Sequence, residues 1–260
     1  MIKRMIDANI NDLSIVAFIP ARSGSKRIPH KNIMDLAGHP LIAYTIHAAL
    51  RSMVFNAVIF VTDSEEYAEI ARGYGIQDVY PQVPTDTKSE YDAYIKWLVE
   101  TMKEEGREFD CFCILRPTSP FRQAVTIKRA WAEFIQNQPV DSLRAVEPVK
   151  QHPGKMYSLV EGVIPRLLPV WDHTDAVHEL PMRDKQIQSL PSVWVQNGSL
   201  EIAWTETVCK YKSFSGAMIY PFRTRGWEGF DLNRPEDVVL ANWLVETGQV
   251  TLPKIEGAKC

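Results

Sequence analysis

Ile15-Val-Ala-Phe-Ile-Pro20-Ala-Arg-Ser-Gly-Ser-Lys-Arg-Ile-Pro-His-Lys-Asn32 decides how the rest of the chain is read. The apolar, β-branched run over Ser14–Ile19 ends at Pro20. A short loop then gathers Arg22, Lys26, Arg27 and Lys31 among Ser23, Gly24 and Ser25. A buried strand feeding a small-residue, cationic turn offers backbone N–H groups and fixed positive charge to a polyphosphate. The Gly-x-x-x-x-Gly-Lys-[Ser/Thr] spacing of a Walker P-loop is absent, and a dinucleotide fingerprint needs three glycines where this loop has one. A surface turn made only for solubility does not call for four cations within ten residues directly after a buried strand.

Outward from this stretch, strand-like and helix-like segments alternate. Helical periodicity runs through His39–Ser52, with Leu41, Ile42, Thr45, Ile46 and Ala49 on one face. Ala57–Thr62 reads as a strand, with Asp63-Ser64 capping a helix over Glu65–Tyr74 that Gly75 stops. A short strand over Asp78–Tyr80, a helix over Tyr91–Glu105, a strand over Asp110–Leu115, a helix near Gln123–Asn137 and a strand over Ser142–Glu147 follow. This rhythm predicts an α/β fold: a mostly parallel sheet flanked by helices, with the site at the C-terminal ends of the strands.

From Pro148 the character changes. Pro153, Pro165, Pro169 and Pro181 punctuate a stretch too long for a plain loop in a compact domain. Residues 149–191 are therefore expected to form an inserted arm that mediates dimer contacts, between two parts of one α/β domain at 14–148 and 192–248. Within the second part, Val193–Trp204 reads as a strand broken at Asn197-Gly198. More strand is expected over Gly216–Tyr220 and around Phe230, with a last helix over Val238–Glu246.

The bulk properties narrow the function classes. At 260 residues the chain can bury a sizeable core. A formal net charge of -3 argues against a general binder of nucleic acids or anionic membranes, so its cations are concentrated locally. No apolar stretch approaches the roughly 18 residues of a spanning helix, and Met1–Ser14 lacks an apolar signal core. Cys111 and Cys113 flank Phe112 on a strand and share one face, while Cys209 and Cys260 stand alone, which is not a disulfide or metal framework. These features predict a cytoplasmic location. The six histidines show no zinc spacing with the cysteines.

Five motifs in order resemble the acylneuraminate cytidylyltransferases, a family of sugar-acid nucleotidyltransferases. The opening loop resembles Pro-Ala-Arg-x-Gly-Ser-Lys-x-Ile-Pro-x-Lys-Asn. Leu115-Arg116-Pro-Thr-Ser-Pro120-Phe-Arg122 is similar to Leu-Gln-Pro-Thr-Ser-Pro-Leu-Arg, and His152-Pro-Gly-Lys155 to His-Pro-x-Lys. Arg183 with Gln186, then Leu190-Pro191 and Asn197-Gly198, resembles Arg-x-x-Gln…Leu-Pro…Asn-Gly. Phe230-Asp231-Leu-Asn233-Arg-Pro-Glu-Asp237 resembles Ile-Asp-Ile-Asp-x-Pro-Glu-Asp. The resemblance implies a Rossmann-like three-layer nucleotidyltransferase fold with an inserted dimerisation arm. It also implies transfer of CMP from CTP to the hydroxyl of a sialic-acid-like nonulosonic acid, with loss of pyrophosphate.

That chemistry asks the protein mainly to position reactants and neutralise charge. The resemblance assigns Ala21, Arg22, Gly24, Ser25, Lys26, Lys31 and Asn32 to the nucleotide, Asn32 near the ribose or base or else as a local cap. Tyr80 stands where the family's base-reading Arg-Pro would align, and Ser89 joins the nucleotide set. Arg22, Lys31 and Asp231 are the expected catalytic residues. Asp231 and Asn233 are the expected ligands of a Mg²⁺ cofactor, since Mg²⁺ takes one or two carboxylates together with substrate phosphates. Asp237 and Asp63 are either assisting carboxylates or helix-terminal acids. Arg116, Lys155, Arg166, Arg183, Gln186 and Asn197 are expected to surround the acceptor, because arginine forks suit carboxylates; surface ion pairing is the competing role for Arg166 and Arg183. The expected assembly is a homodimer through the arm.

Three positions depart from the family pattern: Arg116 for Gln, Asn233 for Asp, and Tyr80-Pro81 for Arg-Pro. They leave two alternatives open. One is a nucleotidyltransferase of the same fold using another base or a sugar 1-phosphate, such as a guanylyltransferase. The other is a non-catalytic nucleotide-binding module.

Overall fold

A computed structural model describes residues 13–25, 27–81, 100–162, 164–171 and 181–255. Lys26, Ser89 and most of the helix expected over Tyr91–Glu105 lie outside the described residues. The chain divides into two compact units, Met1–Val146 with Asn197–Cys260, and Glu147–Gln196.

The first unit is built on a seven-stranded sheet. In chain order its strands are β1 (Ile15–Pro20), β4 (Ala57–Thr62), β5 (Asp78–Pro81), β6 (Cys111–Ile114), β7 (Ser142–Pro148), β10 (Trp194–Trp204) and β11 (Ile219–Arg223). Their order across the sheet is β11-β7-β10-β6-β1-β4-β5. Pairing is parallel between β1 and β4, β1 and β6, β4 and β5, and β7 and β11, while β10 runs antiparallel to β6. The continuous apolar run of β1 is buried on both faces, as a central parallel strand requires.

Alternation along β1 sends its side chains into two cores. Ile15, Ala17 and Ile19 face helix α1 (Leu41–Ser52) and helix α3 (Ala124–Gln136), meeting Ile42, Ile46, Ile127 and Phe134. Val16 and Phe18 turn the other way, toward Met102, Phe112, Val208 and Phe214. Met102 belongs to a helical segment at 100–104, and Val208 to helix α4 (Thr205–Tyr211). Each such buried side chain contributes about 1.5–3 kcal/mol of transfer free energy. A third cluster joins Leu36, Leu41 and Phe121 to Leu232 and to Ala241 and Leu244 of helix α5 (Pro235–Glu246). Helix α2 (Glu65–Gly73) connects β4 to β5.

Four expectations are corrected here. His39–Pro40 is β3 of a small hairpin with β2 (Asp35–Leu36), so α1 begins at Leu41, after the proline. β10 is not broken at Asn197-Gly198 but runs unbroken through both residues. The strand expected at Gly216 begins at Ile219, because Gly216 has a φ of 65° and Asp141 Oδ2 accepts from the backbone N–H groups of Ala217 and Met218 at 2.7 and 2.8 Å. The segment around Phe230 is a turn, its ring packed 5.1 Å from that of Phe121.

The second unit holds a hairpin, β8 (Tyr157–Val160) and β9 (Arg166–Pro169), and short 3-10 turns at Pro153–Lys155, Met182–Asp184 and Ile187–Ser189. His152 caps the first of these, accepting the Gly154 N–H at Nδ1 (3.0 Å) while its Nε2 reaches the Pro191 carbonyl at 2.9 Å.

Candidate active site

The cationic loop is anchored by its backbone. The Ala21 N–H donates to the Val61 carbonyl at 2.8 Å, and the Ser23 N–H to Asp63 Oδ1 at 2.7 Å. Asp63 is therefore a strut for the loop, and the cap of α2 is Ser64, whose hydroxyl accepts the Tyr67 N–H. Asn32 is buried, and its amide donates to the Arg22 carbonyl at 3.0 Å, closing the loop from the far side. It is not a cap for the 3-10 turn at Lys31–Ile33, whose cap position is His30. With both ends tied down, Arg22, Gly24 and Arg27 lie exposed on the outer surface of the loop. Among the described residues, a Cβ placed on Gly24 would meet nothing within 4 Å.

Lys31 joins this loop to the Asp231 segment. Its ammonium donates to the Leu232 carbonyl at 2.8 Å and lies 3.4 Å from Asn233 Oδ1. Burial pulls its pKa below the ordinary lysine value; Arg27 and Arg22 act in the same direction, against the attraction of Asp231 and Asp237. Asn233 donates from Nδ2 to Asp231 Oδ2 at 2.5 Å. Its amide is thus oriented by a cation on one side and a carboxylate on the other. An aspartate at 233 would set two carboxylates against each other, and asparagine removes that repulsion. Asp237 Oδ2 accepts the backbone N–H groups of Asn233 and Arg234 at 2.8 and 2.7 Å, so it acts as the helix-terminal acid of α5.

The other oxygen, Asp231 Oδ1, is buried and has no hydrogen-bond partner among the described residues. Buried carboxylate oxygens rarely stay unpaired, and this one is a hard anionic donor of the kind Mg²⁺ uses. Among the described residues no group of three or more His, Cys, Asp or Glu could hold a metal by itself. The residues present fit a Mg²⁺ that takes one protein oxygen and is otherwise held by substrate phosphates. In this orientation the Asn233 amide oxygen faces Lys31, so of the two expected ligands Asp231 is the one with an unpaired oxygen among the described residues.

Gly198 explains the unbroken β10. A Cβ there would lie 3.0 Å from Asp231 Oδ2 and 3.1 Å from Cγ, while the backbone at 198 is outside the left-handed region. The glycine is thus required by the carboxylate against it rather than by a turn. Gly198→Ala is expected to displace Asp231, costing about 1–3 kcal/mol of stability and on the order of tenfold or more in turnover. Thermal melting and a pyrophosphate-release assay on the same preparation check both.

The loop after β6 closes the third side. The Leu232 N–H donates to the Thr118 carbonyl at 2.8 Å, so the Arg116–Pro120 turn and the Asp231 segment are directly joined. Fully buried Arg122 braces this junction: Nη1 donates to the Ser199 carbonyl, and Nη2 to Thr45 Oγ1 (2.8 Å) and the Arg116 carbonyl (3.2 Å). Burial pulls its pKa down to about 10, which leaves it charged at neutral pH. Arg116 itself pairs with Glu201, which also takes Arg144. Asn197 donates to Thr224 Oγ1 at 3.0 Å and accepts the Ser199 N–H at 3.2 Å.

Of the remaining expected residues, Tyr80 lies on the edge strand β5. Its hydroxyl donates to Glu105 and accepts from Arg107 Nη1 at 3.2 Å. Within the second unit, Lys155 Nζ donates to the carbonyls of Arg183 and Lys185 at 2.6 and 2.5 Å, which fixes the Met182–Asp184 turn. Arg166 and Gln186 are exposed and Arg183 is half-buried.

Residues 16–163 match the cytidylyltransferase family. The chain belongs to that family. Among the relatives of this cytidylyltransferase-family chain is the N-acylneuraminate cytidylyltransferase of Streptococcus agalactiae serotype III, 33% identical over 232 residues, which cover 86% of this chain and 51% of that one. The chain therefore spans about half the length of that relative. The CMP-N,N'-diacetyllegionaminic acid synthase of Legionella pneumophila is 31% identical over 250 residues, 92% of this chain and 100% of that one. In fold, this cytidylyltransferase-family chain is similar to a CMP:2-keto-3-deoxy-manno-octonic acid synthetase complexed with CTP. The TM-score is 0.62 at 14% identity, over 90% of this chain and 99% of that one.

Sequence reasoning missed Glu201 and Arg144 and gave Arg122 no role. A signal was present: Arg144 and Glu201 are opposite charges inside two segments read as strands, where an unpaired charge has no stable place.

Proposed function

We propose that this chain is an enzyme that transfers CMP from CTP to the hydroxyl of a sialic-acid-like nonulosonic acid, expelling pyrophosphate. The observation that carries this reading is the junction of the cationic loop with the Asp231 segment. Lys31 bridges the two, and among the described residues Asp231 Oδ1 is left buried without a partner. Family membership and the relatives named for CMP transfer to N-acylneuraminic and legionaminic acids support the choice of CTP and of the acceptor class.

In this reaction the acceptor hydroxyl oxygen attacks the α-phosphorus in line, the bond from the α-phosphorus to the α–β bridging oxygen breaks, pyrophosphate leaves with its electron pair, and the hydroxyl proton passes to water. Arg22, Lys26 and the amides around Gly24 and Ser25 hold the triphosphate. Lys31 faces the charge that develops as pyrophosphate departs. Asp231 would hold Mg²⁺, whose chemistry there would be to draw electron density from the phosphate oxygens. Arg116 serves the acid of the acceptor, as the family resemblance implies.

The same reading has the chain act as a homodimer in the cytoplasm. The β8–β9 hairpin supports the dimer: Leu159, Leu167 and Leu168 are 59%, 61% and 50% exposed, and a two-stranded hairpin is marginal without a covering surface. Cys111 and Cys113 are free and buried, which suits a reducing compartment. No helix among the described residues is long and apolar enough to cross a membrane.

The phosphate assignment is tested by Arg22→Ala. The side chain is exposed, so the variant should fold normally and lose on the order of a hundredfold in turnover. Calorimetric titration should show weaker CTP binding in the same variant. Wild-type turnover at saturating CTP would move the phosphates elsewhere.

A further inference from the structure

Two neighbouring strands and the loop that follows a third carry an ion triad. Glu201 of β10 stands opposite Ile114 of β6, and Arg116 follows two residues beyond. β10 therefore delivers a carboxylate to the C-terminal edge of β6, where the site lies. Glu201 is 2% exposed, and its two oxygens are divided between Arg116 Nη1 and Arg144 Nη1. Arg144, on the adjoining β7, is held in turn by Ser215 Oγ at 2.9 Å and lies 5.7 Å from the Phe214 ring centre. A buried carboxylate is tolerated when both oxygens are paired, and here they are.

The triad carries one net positive charge, and its open end is Arg116, whose side chain keeps 38% of its exposure. The backbone of Arg116 is fixed as well, since its carbonyl accepts from Arg122 Nη2 at 3.2 Å. An arginine held at both ends has surrendered its rotamer freedom before a ligand arrives, so an anion meeting the rest of its fork pays less to order it.

We propose that Glu201 is the positioning residue for acceptor selection in this chain, aiming Arg116 at an anionic group of the acceptor, with Arg144 neutralising it from behind. This rests on the acceptor class proposed above. Positions 116 and 201 then form one functional unit, and neither substitution works alone. Without Glu201, Arg116 and Arg144 would be two like charges facing each other across β10.

A double-mutant cycle of Glu201→Gln, Arg116→Gln and the pair tests this, using CTP with N-acetylneuraminic acid and with N,N'-diacetyllegionaminic acid. Glu201→Gln should raise the acceptor KM by about tenfold or more and leave the CTP KM within about twofold. In the Arg116→Gln background, adding Glu201→Gln should change the acceptor KM by less than about twofold, because the residue it positions is gone. If Glu201→Gln does not fold, Glu201→Gln with Arg144→Met removes the buried charges together and should show the same selective rise. The proposal is overturned by an unchanged acceptor KM in Glu201→Gln, by the same rise in both backgrounds, or by acceptor and CTP KM rising together. Failure of the wild type to release pyrophosphate from CTP with either acid overturns the acceptor class itself, and this proposal with it.

Discussion

Asp231→Asn is expected to reduce pyrophosphate release by on the order of a thousandfold while leaving the protein at least as stable as the wild type. The two effects have opposite signs for one reason. Asp231 Oδ1 is buried without a partner among the described residues, which costs the fold free energy, and a neutral amide of the same shape relieves that cost. The unpaired oxygen is also the one proposed to hold the metal, so removing its charge removes the ligand. Thermal melting and turnover at several Mg²⁺ concentrations measure both signs. A residue kept for packing would behave in the reverse way, with Asn costing stability and sparing turnover. Raising Mg²⁺ should not restore the variant, whereas it would if Asp231 only tuned affinity from a distance.

Lys31→Met is expected to cost on the order of a hundredfold in turnover with the fold retained. The ammonium bridges the loop to the Leu232 carbonyl, and an apolar chain of similar length keeps the burial but not the charge. The pH dependence gives a sharper signature. Burial lowers the Lys31 pKa from 10.5, so the folded state releases this proton more readily than the unfolded chain. Between the lowered value and 10.5 the unfolded state binds more protons, and stability rises with pH. Turnover, which needs the charged form, falls across that same window. The alkaline limb of kcat/KM for CTP should therefore lie below the ordinary lysine range. The limb of kcat should lie higher, since a bound triphosphate favours the ammonium. Lys31→Met should lose this limb.

Much of the architecture was legible because burial on both faces writes itself as an unbroken apolar run. The strands at Ile15–Pro20, Ala57–Thr62 and Cys111–Ile114 follow from such runs, and the helices between them from apolar periodicity. The misreadings share a cause, which is that local chemistry has several uses. Asn-Gly at 197–198 is a turn signal in isolation, but here the missing side chain makes room for Asp231, thirty-odd residues away in sequence. Asp63 sits where a helix cap belongs, yet it holds the Ser23 N–H. The Arg144–Glu201–Arg116 triad joins residues of β7, of β10 and of the loop after β6, whose adjacency no periodicity announces. Motif order located the loop and the Asp231 segment. That Lys31 joins them, through a backbone carbonyl, is visible only in the fold.

The proposed reaction is CMP transfer to a nonulosonic acid. Pyrophosphate release, with the nucleotide product identified by mass spectrometry, should be measured for CTP, GTP, ATP and UTP. Each would be crossed with N-acetylneuraminic acid, N,N'-diacetyllegionaminic acid and mannose 1-phosphate. The expected result is release with CTP and a nonulosonic acid, giving the CMP conjugate, and background rates elsewhere. Release with GTP and mannose 1-phosphate, or nucleotide binding without release in any combination, would contradict it.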